Sequence, residues 1–251
     1  MKKNRIVLLG DSITEGIGSK KTNYVPLLDK RFEIFNLAVT GTTINYIKSI
    51  YDKIVDINPS KIIIMYGNVD VQYRPNMKKN RFKIVSIIPR HYKEIKGILN
   101  PRPFYSKDII KKTKNIIDNL IRKILKKIIV ITQGYCQYLN SEEFINEYDY
   151  VIKMLLKLNP TIEILCISTV FLDDKIYNNS STEYRKINTG IKKIAGKYKN
   201  VNYIDIFTPL KEEVEKNGWN SCYYLDHFHP NEYGYELIAK QINSKLRLEE
   251  Y

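Results

Sequence analysis

The run Lys61-Ile62-Ile63-Ile64-Met65-Tyr66 constrains this chain more than any other feature. Consecutive β-branched residues favour a strand, and an unbroken apolar run needs cover on both of its faces. Four more short runs read as strands: Arg5 to Leu9, Phe32 to Leu37, Ile162 to Ser168 and Val201 to Ile206. Helix-spaced patterns lie between them. Thr43 to Ile57 places Ile44, Ile47, Tyr51 and Ile54 on one face. Glu142 to Leu158, Glu183 to Tyr198 and Asn231 to Leu246 read the same way. Strands alternating with helices predict an α/β fold, a five-stranded parallel sheet with helices on both faces.

The stretch from about 76 to 141 breaks that alternation. Pro89, Pro101 and Pro103 predict irregular structure with short elements over Lys78 to Phe104. Beyond it, Ile109/Ile110, Ile116/Ile117, Leu120/Ile121, Ile124/Leu125 and Ile128 recur at helix spacing, with Lys and Arg filling much of the other face. Ile128 to Ile131 fits a strand as well as a helix. The expected organisation is a single domain over residues 1–251, with a basic, partly helical insertion between the third and fourth core strands.

The charge sits in that insertion. The formal net charge is +14, yet Lys78 to Lys127 holds 16 basic residues against three acids, Glu94, Asp108 and Asp118. That segment alone carries +13 and the remainder +1. Such a segment attracts polyanions, of which an anionic glycan or a peripheral anionic membrane surface are candidates. A solvated helix face accounts for the charges equally well. Nucleic acid is the weaker candidate, because the 20 tyrosines form no nucleic-acid motif. There is no apolar run of the ~18 residues that a transmembrane helix needs. Ile6 to Leu9 is too short for the core of a signal peptide. Cys136, Cys166 and Cys222 are too widely spaced for a disulfide framework, and no cysteine pair has zinc spacing. A cytoplasmic location is expected.

Two short segments carry chemistry. Gly10-Asp11-Ser12-Ile13-Thr14 follows the first strand, where open α/β sheets place their ligands. Residues after Ser12 can start a helix whose free N–H groups face a developing oxyanion. Asp226-His227-Phe228-His229-Pro230 holds two of the three histidines. A carboxylate three residues before a histidine can hold its Nδ1–H, which frees Nε2 to take a proton from a hydroxyl. His227 competes for the base role, but it is adjacent to Asp226 and the Asp226–His229 spacing is better shaped. Metal binding by Asp226, His227 and His229 lacks a fourth ligand at familiar spacing.

In four blocks the sequence resembles the SGNH, or GDSL-type, hydrolases. These are Gly-Asp-Ser-Ile-Thr at 10–14, the glycine Gly41 after the second strand, Gly67-Asn68-Val69-Asp70 after the third, and Asp226 to His229. The resemblance implies a three-layer α/β/α sandwich of flavodoxin-like type and acyl-ester chemistry with neither metal nor organic cofactor. It implies Ser12 as nucleophile and first oxyanion donor, His229 as general base and then acid, Asp226 orienting it, and Gly41 N–H as second oxyanion donor. The third block departs from the family order Gly-x-Asn-Asp, with the asparagine one place early. Either Asn68 reaches the oxyanion through its side-chain amide, or that donor is replaced. The run from Gly67 to Arg74 is also similar to a subgroup associated with bacterial surface polysaccharide. Arg74 would then pair with Asp70 or with an anionic substrate; a structural salt bridge is an equal alternative.

These readings point to an esterase for an O-acylated carbohydrate, with O-acetyl the expected group. The alternative is an O-acetyltransferase for a capsular or other surface glycan, drawing on an acyl donor such as acetyl-CoA. A lysophospholipase-like activity would suit the basic amphipathic pattern from Lys107 to Lys127. A non-catalytic module that binds a polyanion or a membrane is the reading from a different class.

Overall fold

The computed structural model describes residues 4–16, 23–77, 86, 88 and 109–247, the last stretch without the side chains at 109–119, 123 and 247. The chain divides into two compact units. The first comprises Met1–Gln72 and Tyr138–Tyr251, and the second Tyr73–Gln137. The expectation is a single domain with an insertion at about 76–141; the second unit spans Tyr73–Gln137.

The first unit is built on β1 (Arg5–Gly10), β2 (Glu33–Asn36) and β3 (Lys61–Met65). Two more strands, Glu163–Ile167 and Val201–Ile204, are named β6 and β7 below because two short strands precede them in the chain. All five are parallel, in the order β2-β1-β3-β6-β7. Val7 pairs with Ile62, Ile63 with Leu165 and Cys166 with Tyr203. Ile6 to Leu9, Ile62 to Met65 and Ile164 to Ile167 have no exposed surface. Successive residues on a strand point to opposite faces, so both faces of the sheet are covered. The strand order reverses between β1 and β3, which marks the site for chemistry at their carboxyl ends.

Helices flank this sheet, and their local chemistry explains their bounds. The helix Ser141–Leu158 starts in a capping box, with Glu143 N–H donating to Asn140 Oδ1 at 2.9 Å and Asn140 N–H to Glu143 Oε2 at 2.8 Å. It buries Phe144, Tyr148, Val151, Ile152 and Leu155. The helix Ser180–Ala195 buries Tyr184, Ile187, Ile191 and Ile194, and Glu232–Arg247 is the last element. The helix expected over Thr43 to Ile57 is divided into Tyr46–Ser49 and Tyr51–Ile57 at Ile50, whose φ is −114°. The first piece closes with i to i−3 bonds, Ile47 N–H to Ile44 and Ile50 N–H to Ile47, each 3.2 Å. Ile44, Ile47 and Ile54 are still buried on one side. The helix Phe207–Asn217 went unread in the sequence, although its buried residues Phe207, Leu210 and Val214 stand at helix spacing.

The second unit contains β4 (Arg74–Pro75), the helix Ile109–Gln133 and β5 (Tyr135–Cys136). The strands pair antiparallel, Arg74 with Cys136 and Pro75 with Tyr135. Ile128 to Ile131 is helical and not a strand. Gly134, at φ 76°, ends the helix by donating its N–H to Val130 O at 2.9 Å. Ile88 and Ile129 are buried together, with Met77 and Leu125 packed on them. The irregular segment expected over Lys78 to Phe104 lies outside the described residues, apart from 86 and 88. Among the described residues no helix is long and apolar enough to cross a membrane.

Candidate active site

Ser12 stands directly after β1. Gly10 ends the strand, and Asp11 caps the four-residue helix Ser12–Glu15 by accepting from Ile13 N–H at 3.0 Å. Asp11 is enclosed; burial lifts its carboxyl to about 6, against the bond from Ile13, the nearby Asn68 amide and the charge of His229.

His229 arrives from the other end of the chain. A compact turn forms it: Tyr223 bridges to Pro230, Tyr224 N–H donates to His229 O at 3.0 Å, and His227 N–H donates to Tyr224 O at 2.9 Å. Ser12 Oγ lies 3.0 Å from His229 Nε2. On the far side of the ring, Nδ1 lies 2.7 Å from Asp226 Oδ2. With Nδ1–H as the donor, Nε2 is left as the acceptor facing the hydroxyl. Asp226 is itself fixed. Its Oδ1 accepts from Phe228 N–H at 3.1 Å and His229 N–H at 3.0 Å, and its carbonyl accepts from Tyr177 OH at 2.8 Å. Burial pushes the Asp226 carboxyl up, but the charge of His229 and these N–H donors outweigh it and hold it below the usual range. Ser12 and His229 are each 5% exposed, so the pair is recessed.

Gly41 lies in the loop after β2. Thr42 N–H donates to Val39 O at 3.2 Å, and Gly41 at φ 75° takes the third position of that turn, which favours glycine. The turn bond leaves Gly41 N–H out of it. Val39 N–H donates to Gly10 O at 3.1 Å, and Glu15 Oε2 accepts from Thr40 N–H at 2.6 Å and from the Thr40 hydroxyl. The loop is thereby tied to both ends of the segment that carries Ser12.

The third block is enclosed. Asn68 Oδ1 accepts from Val170 N–H at 3.0 Å. Its buried side-chain amide lies beside the enclosed carboxyl of Asp11. Asp70 has no exposed surface, and both its oxygens hold backbone, Oδ1 taking Ile44 N–H at 2.8 Å and Oδ2 taking Gly67 N–H at 3.0 Å. Burial lifts its carboxyl to about 7 despite those two bonds. Asp70 thus pins the glycine of its own block, whose φ is 114°. Arg74 is buried on β4 of the second unit.

His227, the competing base, faces elsewhere. Its backbone is left-handed, with φ 51°. Nδ1 lies 2.9 Å from Asp173 Oδ2, and the ring stacks on Trp219 at 4.8 Å, which stacks in turn on Phe171 at 5.1 Å. Asp173 and Tyr177 brace the turn and went unread in the sequence. Their contacts span 54 and 49 residues, so no local spacing announces them. Among the described residues no group of three or more His, Cys, Asp or Glu could hold a metal ion.

The family model of the GDSL-like lipases and acylhydrolases matches residues 8–237. Among solved structures, a catalytic variant of an acetylxylan esterase from Geobacillus stearothermophilus aligns at 12% identity with a TM-score of 0.59, covering 97% of this chain and 94% of that one. The lipase/acylhydrolase from Enterococcus faecalis aligns at 14% identity and a TM-score of 0.59, covering 97% and 95%. An α/β hydrolase from the metagenome of Lake Arreo aligns at 15% identity and a TM-score of 0.58, covering 96% and 94%. At such identities these three share the fold. No curated protein matches the chain by sequence.

Proposed function

The chain belongs to the GDSL-like lipase/acylhydrolase family, and from that premise we propose that it is a serine esterase that removes acetyl groups from an O-acetylated carbohydrate. The observation that carries this is the continuous relay from Ser12 Oγ through His229 to Asp226, at 3.0 and 2.7 Å. Ser12 Oγ attacks the acyl carbonyl carbon while its proton passes to His229 Nε2. Asp226 stabilises the imidazolium and keeps its own charge, as its lowered pKa requires. The backbone N–H groups of Ser12 and Gly41 receive the oxyanion, and the side-chain amide of Asn68, which also faces the Asp11 carboxyl, is the third donor. When the C–O bond breaks, His229 returns the proton to the departing sugar oxygen. Water then attacks the acyl-enzyme, losing its proton to His229, and acetate leaves as Ser12 Oγ is reprotonated.

The narrow exposure of Ser12 and His229 suits a compact acyl group on an accessible hydroxyl. The likeness to an acetylxylan esterase agrees with an acetylated sugar. Cys136, Cys166 and Cys222 are free thiols, which supports a reducing, cytoplasmic setting.

Acetate release from acetylated oligosaccharides and from p-nitrophenyl acetate tests this. Ser12→Ala is expected to lower both rates by about 10⁴-fold or more. Equal rates for the variant and the wild type would remove the catalytic assignment. Acetyl-CoA with an oligosaccharide acceptor forms a second arm. Transfer that outruns hydrolysis would replace water by a sugar hydroxyl in the second step and make the protein an acetyltransferase.

A further inference from the structure

The helix Ile109–Gln133 of the second unit has two apolar sides. One packs inward through Ile129, which has no exposed surface, and through Leu125. The other carries Leu120, Ile121, Ile124, Ile128 and Ile131, all exposed, with Ile131 73%, Leu120 58% and Ile124 50% open to solvent. At about 100° per residue these five positions fall within one stripe about 100° wide. The stripe runs for about three turns, roughly 17 Å along the axis. Five large aliphatic side chains in one exposed row are not the scattered apolar residues of an ordinary surface; they mark a contact face.

The charge around the stripe says what it meets. Lys127 is exposed at its edge, and position 123, one turn earlier, is also a lysine. The helix holds Lys111, Lys112, Lys114, Arg122, Lys123, Lys126 and Lys127 against a single acid, Asp118. Nine more basic residues precede them between Lys78 and Lys107. A polynucleotide would use the cations and leave the aliphatic stripe in water. A neutral protein groove would use the stripe and leave the cations idle. A bilayer of anionic lipid uses both, with acyl chains under the aliphatic row and head groups beside the lysines. The helix is not apolar enough to cross that bilayer, so it lies along the interface.

We propose that the face of this helix bearing Leu120, Ile121, Ile124, Ile128 and Ile131 is a docking surface for an anionic lipid bilayer. It needs nothing from the identity of the acyl substrate. The test is cosedimentation of the whole chain with phosphatidylcholine vesicles, with and without phosphatidylglycerol. Binding is expected only when phosphatidylglycerol is present, and it weakens as salt is added. Lys123→Glu with Lys127→Glu should weaken binding by at least about tenfold, from the roughly fivefold effect of each cation near such a surface. Leu120→Ser, Ile124→Ser and Ile131→Ser together should weaken it comparably, while hydrolysis of p-nitrophenyl acetate in solution stays at the wild-type rate and the helical circular dichroism is unchanged, which shows that both units of the variant fold. Three results would overturn the proposal. They are equal retention on both vesicle types, binding that survives the triple serine variant, and a homodimer that the triple variant converts to monomer. If the esterase assay fails for wild type while vesicle binding follows the expected pattern, the proposed function falls and the docking surface stands.

Discussion

Isoleucine meets opposite fates in the two units. On β3, Ile62, Ile63 and Ile64 have no exposed surface, whereas on the helix Ile109–Gln133 the exposed Ile124, Ile128 and Ile131 stand beside the buried Ile129. The residue type is the same, so hydrophobicity alone does not decide. The layers do: a parallel sheet with helices on both faces closes its apolar surface on itself. In the second unit the buried partners described are Ile88 and Ile129, with Met77 and Leu125 against them, and they serve one side of one helix. The first unit uses apolar surface to fold, and the second keeps part of it outward. That contrast is why the chemistry belongs to the first unit and the docking face to the second.

The sharpest way to break the contrast is to cut a methyl-rich side chain from the closed layer. Ile63→Ala leaves a cavity between β3 and the layer covering one face of the sheet, and should cost about 2–5 kcal/mol in urea unfolding. A cost below about 1 kcal/mol would mean that the sheet is not closed on both faces. The second-largest effect concerns Asn68, which links the closed core to the reaction. Asn68→Ala removes the acceptor of Val170 N–H and the amide that faces the Asp11 carboxyl together. As an oxyanion donor it should take about 10²- to 10³-fold from kcat. An unchanged kcat with a lowered melting temperature would leave it only the task of holding Val170.

How much of this was legible in the chain follows from the same contrast. The three central strands, covered on both faces, write themselves as continuous apolar runs, and the edge strands β2 and β7 were readable as shorter ones although little of them is buried; the bounds of all five moved by one or two residues. Phe207–Asn217 went unread, although its buried Phe207, Leu210 and Val214 stand at helix spacing. Ser12, Asp226 and His229 were readable as residue types at a strand end and on a turn. Their meeting across 217 residues belongs to the topology, which ends β1 and the last turn at the same edge. Asp173 was not readable, because its contact with His227 spans 54 residues and has no spacing to reveal it. In the second unit, the period gave the helix but not which of Ile128 and Ile129 would be covered. Adjacent apolar residues on one helix look alike until a partner layer is known.

The third effect tests burial in the first unit by pH. Asp70 has an ordinary carboxyl in the unfolded chain and one raised to about 7 when folded. A folded value above the unfolded one means that the native state holds the proton more tightly. The stability this adds is complete below about pH 4, where both states are protonated. It is lost as the pH rises through about 7. The unfolding free energy should therefore fall between those limits more steeply in the wild type than in Asp70→Asn, which cannot titrate. Identical slopes would show that Asp70 is ionised throughout, held by the N–H groups of Ile44 and Gly67 more strongly than burial opposes them.

The smallest expected effect is the most informative about the second unit. Ile124→Ala removes an aliphatic side chain that is half in water already, from a stripe that covers none of the described core. Exposed changes of this kind fall within about 0.5 kcal/mol of the wild type. Alanine also has the higher helix propensity, by a few tenths of a kcal/mol relative to isoleucine. The two terms nearly cancel, and the variant should unfold at the wild-type denaturant concentration. The matching change one turn on and inside, Ile129→Ala, should be felt, since that side chain has no exposed surface. If Ile124→Ala destabilised as much as Ile129→Ala, the stripe would be part of a core and not a face held outward. The inward and outward sides of this helix would then be one apolar surface, and the contrast with the sheet would disappear.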